Sequence, residues 1–72
     1  MNRFQPKKLL MSKWTAVNPV NKQKHFIVTE CTIEEETLKV ISCTLEAVMT
    51  KNQFELIPEK LKDSDQWRQG WQ

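Results

Sequence analysis

HFIVTECTI, residues 25–33, and LKVISCTLEAVM, residues 38–49, are two runs rich in β-branched side chains, separated by the polar turn Glu34-Glu35-Glu36-Thr37. Branching at Cβ restricts χ1 and suits a pleated, half-buried surface, so both runs read as strands of one hairpin. Pairing odd positions with odd puts Ile27, Cys31 and Ile33 on one face with Ile41, Cys43, Leu45, Ala47 and Met49. A one-residue slip would replace these partners with Val40, Ser42, Thr44 and Glu46, so the odd register is preferred.

A turn at Lys51-Asn52 then sets Phe54 opposite Met49 and Leu56 opposite Ala47, which extends the same apolar face. Phe26, Val28, Val40 and Val48 fall on the other face and need a cover. Upstream, Lys13-Trp14-Thr15-Ala16-Val17 reads as a short first strand ended by Asn18-Pro19, because proline cannot donate to a ladder. Val20 to Lys24 follows as an exposed basic loop. Downstream, Pro58-Glu59-Lys60-Leu61 suits a helical first turn, and Asp63 or Ser64 would cap a second short helix carrying Trp67 and Trp71 at i, i+4 spacing.

The predicted fold is therefore mainly β, with α+β as the alternative. It is an antiparallel sheet of three to four strands, curled into an SH3-like or small open barrel, with a short C-terminal helix. With no repeat and no Pro/Gly/Ser-rich divider, residues 1–72 read as a single small domain in which 1–11 form a flexible basic tail. So short a chain buries a modest share of its surface, and core is the default role of its three tryptophans.

Charge is unevenly placed. Arg3, Lys7, Lys8, Lys13, Lys22 and Lys24 all precede the first acidic residue, Glu30, and the net +2 conceals a basic front and an acidic back. The basic N-terminus leads only to Leu9-Leu10-Met11, too short for a signal-peptide core, and no stretch would span a membrane. Cys31 and Cys43 then read as reduced cytoplasmic thiols, facing each other if the first turn centres on Thr37 and serving as small inert hydrophobes.

Leu9-Leu10-Met11-Ser12-Lys13-Trp14-Thr15-Ala16-Val17, Lys24-His25-Phe26, Leu45-Glu46-Ala47-Val48, Leu61-Lys62-Asp63 and Trp67-Arg68-Gln69-Gly70-Trp71 are spaced as in a known group of sequences. On these landmarks the chain resembles a family of small tryptophan-rich bacterial proteins of unknown function. Members often carry an aromatic after the proline where this chain has Glu59. The resemblance implies a bacterial, cytoplasmic protein and carries over no catalytic or binding residue.

The residues offer little catalytic chemistry. His25 is the sole histidine, and Ser12, Ser42 and Ser64 stand in no nucleophile motif, so no enzyme is expected. His25 and Cys31 are six residues apart on one strand, roughly 20 Å at the usual rise, which excludes a shared zinc ion. Glu34, Glu35 and Glu36 lack the spacing of a calcium loop. No metal and no cofactor are expected. The leading expectation is a non-enzymatic binding module for RNA or single-stranded DNA, with Lys7, Lys8, Lys13, Lys22 and Lys24 pairing with phosphates and the interleaved rings of Trp14 and Phe4 stacking on bases. The alternative is a protein-interaction or self-associating module that uses Trp67 and Trp71.

Overall fold

The computed structural model describes residues 2–20 and 23–72. It is mainly β, a five-stranded antiparallel sheet in the order β4-β3-β2-β1-β5. The strands are β1 (Lys13–Val20), β2 (Gln23–Ile33), β3 (Val40–Ala47), β4 (Gln53–Leu56) and β5 (Trp67–Gln69). Two 3-10 turns complete the fold: Pro6–Lys8 before the sheet and Pro58–Lys62 between β4 and β5. The second begins on the proline that the sequence marked as a helix start, and it is the short C-terminal helical segment of the expected fold.

The β2/β3 hairpin forms where expected, and Cys31 pairs directly with Cys43. The odd register, however, holds over only part of the ladder. Phe26, Val28 and Glu30 pair with Ala47, Leu45 and Thr44, so the register shifts between Val28 and Glu30. A bulge leaves one residue unmatched and turns all preceding side chains to the opposite face. Phe26 and Val28 are therefore buried beside Cys43, Leu45 and Ala47, while Ile27 pairs with Glu46 and is only half-buried. A second shift, between Thr32 and Ile33, matches Ile33 with Val40 and leaves Ile41 half-exposed.

The β3/β4 hairpin also forms, with a longer turn than expected. Phe54 pairs with Leu45 and Leu56 with Cys43, a displacement of four residues from the expected partners Met49 and Ala47. Because the displacement is even, the inward face of β4 is unchanged. Met49 is lifted out of the ladder into the turn and is 84% exposed.

The second predicted helix does not form. Asp63 Oδ1 accepts the Asp65 amide at 2.9 Å, the chain turns, and Trp67–Gln69 adds to the free edge of β1 with Trp67 opposite Ala16 and Gln69 opposite Trp14. A short helix would satisfy few backbone groups, whereas the open edge of β1 offers partners already in place. β1 itself runs through Asn18-Pro19 to Val20 instead of ending there.

The sheet curls until its edge strands meet through their side chains. Phe54 of β4 stacks on Trp67 of β5 at 6.4 Å, and Phe26 meets both edge-on at 5.6 and 5.3 Å. Edge-on contact suits the negative face and positive rim of each ring. Leu9, Trp14, Val28, Leu45 and Leu61 fill the interior. Residues 2–11, which read as a basic tail, lie along this core: Leu9 is fully buried, and Asn2 Nδ2 donates to the carbonyls of Leu61 and Trp67. Among the described residues, no helix is long and apolar enough to cross a membrane.

Candidate nucleic-acid interface

Gly70 builds one side of the site. Its φ of 78° reverses the chain after β5, a conformation that costs an L-residue strain and glycine little. Trp71 and Gln72 thereby fold back over the outer face of β1 and β2. Thr15, an outward position on β1, is covered by them: its hydroxyl donates to the Gly70 carbonyl at 2.6 Å and accepts the Gln72 amide at 2.9 Å. Trp71 Nε1 donates to the Phe26 carbonyl at 3.0 Å, and His25 Nε2 lies 2.9 Å from the Gln72 backbone oxygen.

Held by these bonds, the Trp71 residue remains 44% exposed. The ammonium of Lys13 sits 4.8 Å from its ring centroid, and the His25 ring lies 6.0 Å away. A cation over an indole face at this distance is attracted by the ring quadrupole. Lysine, histidine and tryptophan thus share one patch although they come from three segments of the chain.

Beside the patch lies a hollow of ≈ 440 Å³. Arg3, Lys8 and Lys13 supply its charge, Phe4 and Met11 part of its apolar wall, and no acidic side chain lines it. Among the described residues the only ion pair is Lys51–Glu46, at 3.9 Å on the far hairpin. Among the described residues, Arg3, Lys8 and Lys13 therefore form no ion pair.

The sequence-predicted residues divide accordingly. Lys8 and Lys13 line the hollow together, and Lys7 is exposed on the same 3-10 turn as Lys8. Lys24 is exposed on β2, three residues beyond the Ile27 that faces Lys13, roughly 10 Å along the strand. Lys22 lies outside the described residues. Trp14 is 1% exposed, its Nε1 donating to Ser12 Oγ at 2.8 Å, so the ring read as a base-stacking platform faces the core. Trp67, read with Trp71 as a partner contact, packs against that core, and only Trp71 presents its ring outward.

Two members are not among the residues the sequence assigns to nucleic acid. Arg3 reads only as part of the basic front, and Trp71 reads as a protein-partner contact on a helix face shared with Trp67. The glycine just before Trp71, able to take positive φ at no steric cost, was the available signal that the chain turns there.

Cys31 and Cys43 face each other across β2 and β3 as free thiols. Burial raises both thiols, and Cys43 is pushed up to about 11, with Cys31 beside it adding to the shift. Reactivity resides in the thiolate, so Cys43 should react with a disulfide reagent at pH 8 far more slowly in the native protein than in denaturant. Equal rates would show that Cys43 is accessible. The same shift has a linkage consequence. Folding holds the Cys43 proton beyond its ordinary value of 9.0, so this contribution to stability is intact below pH 9 and is lost as the pH climbs towards 11.

Among the described residues no group of three or more His, Cys, Asp or Glu is placed to hold a metal ion. No curated protein and no solved structure matches the chain. A family model described as Tryptophan-rich protein (DUF2389) matches residues 12–72, a span that includes all five strands, Gly70 and the fold-back of Trp71. The chain belongs to this tryptophan-rich protein family.

Proposed function

We propose that this protein is a non-enzymatic binding module for single-stranded nucleic acid, RNA or DNA, and that it acts in the bacterial cytoplasm, where Cys31 and Cys43 stay reduced. One observation carries the reading: a hollow lined by Arg3, Lys8 and Lys13 without a carboxylate adjoins the exposed ring of Trp71. Backbone phosphates would pair with the three cations while a base stacks on the indole, the combination by which single strands are held without sequence readout. Unpaired bases are needed because a duplex hides their faces.

The test is intrinsic fluorescence during titration with an oligouridylate, with a mixed-sequence duplex as control. Trp14 is buried and Trp67 half-buried, so quenching should come chiefly from Trp71. Three phosphate contacts predict a slope of log K against log salt of about −2. The Lys8→Ala/Lys13→Ala variant should bind at least tenfold more weakly, and Trp71→Phe should lose most of the quenching while keeping the salt slope. Absence of saturable quenching at low salt would sink the proposal. A concentration-dependent size abolished by Trp71→Ala would instead favour a self-associating module.

A further inference from the structure

Phe4 lines both the hollow beside Lys13 and a second hollow, of ≈ 310 Å³. Phe4 is half-buried, edge-on to Trp14 at 5.8 Å, and the Lys62 ammonium lies 5.8 Å from its ring centroid. The second hollow takes Lys39 from the approach to β3, Lys62 from the end of the 3-10 turn before β5, and one carboxylate, Glu59. Neither lysine belongs to the basic front of the sequence. Folding brings both to the edge of the surface that the front creates.

We infer that a single strand bound in the first hollow continues past Phe4 into the second, so that Lys39 and Lys62 are further phosphate-binding residues and Phe4 is the ring the strand crosses. The inference rests on the proposed nucleic-acid reading and extends it to a longer ligand. Lys62 stands over the Phe4 ring much as Lys13 stands over the Trp71 indole, so each ring has a cation beside it. Glu59 opposes the second group and weakens its hold on an anion, so this end is the weaker half of the track.

The experiment compares a 5′-phosphorylated trinucleotide, which carries three phosphates, with a decanucleotide of uridylate, each titrated over a range of salt. Three contacts predict a salt slope of about −2 for the short oligomer, and five predict about −3.5 for the long one. The Lys39→Ala/Lys62→Ala variant should return the long oligomer to a slope of about −2 and leave the short one unchanged. Glu59→Gln should tighten the long oligomer, a gain that misfolding cannot imitate. Lys60→Ala/Arg68→Ala removes the same charge from exposed positions lining neither hollow and should have little effect.

Equal slopes for the two lengths, or equal losses in the two double variants, would overturn the inference. If the long oligomer is weakened by Lys8→Ala/Lys13→Ala but not by Lys39→Ala/Lys62→Ala, the extension fails and the binding module stands. If the wild-type protein binds neither oligomer at low salt, both fail.

Discussion

Trp14→Ala is expected to leave most of the protein unfolded at 37 °C. The side chain is 1% exposed, its ring touches Phe4, and it is the largest fully buried side chain in the molecule. Truncating a buried tryptophan costs about 3–5 kcal/mol, through lost transfer energy and the cavity left behind. That is close to the whole stability of a domain this small. The Nε1 bond to Ser12 goes as well, and with it one tie between the N-terminal segment and the sheet. Denaturant titration followed by far-ultraviolet circular dichroism reads the result. A domain of this size loses about 4–8 °C of Tm per kcal/mol, so a melting point within a few degrees of wild type would show that the ring is not part of the core.

The second large effect is predicted for Leu61→Ala, at about 2–5 kcal/mol. Leu61 is fully buried and sits in the 3-10 turn between β4 and β5. These two strands share no hydrogen-bonded ladder, so the interior beneath their turn is closed by side chains alone. Removing the leucine opens the core where no backbone pairing can hold the sheet together. Its carbonyl is also an anchor for Asn2, so the N-terminal segment should loosen in the same variant. Met49→Ala is the matched control. Sequence periodicity assigns Met49 to the core, yet its side chain is 84% exposed and its truncation should change stability by under about 0.5 kcal/mol. Similar losses from the two substitutions would mean that the β3/β4 turn is placed wrongly.

These two residues show where legibility ended for the candidate site as well as for the core. Lys8 and Lys13 could be picked from the basic front because charge segregation is a property of the sequence itself. The sequence reading gives base stacking to Trp14 and a partner contact to Trp71, because either indole is equally able to fill a core or to meet a ligand. Their roles follow from Gly70, which sends Trp71 outward over Thr15, and from β1, which sends Trp14 inward. Lys39 and Lys62 carried no signal, because nothing in their neighbours along the chain relates them to Phe4.

The β class, the β2/β3 hairpin, the turn starting at Pro58 and the inward faces of β3 and β4 are legible in the sequence, whereas the Cys31–Cys43 pairing is only one of the registers it allows. Local propensity and period-two alternation act over a few residues and survive an even displacement of register. Only the tertiary structure decided the bulge that buries Phe26 and Val28, the conversion of the C-terminal segment to β5, and the meeting of both chain ends around Lys13. The bulge depends on twist and closure of the whole sheet. β5 depends on an edge of β1 left unpaired elsewhere. The proposed binding surface depends on contacts between residues more than fifty positions apart, such as Thr15 with Gly70, for which a linear pattern contains no record.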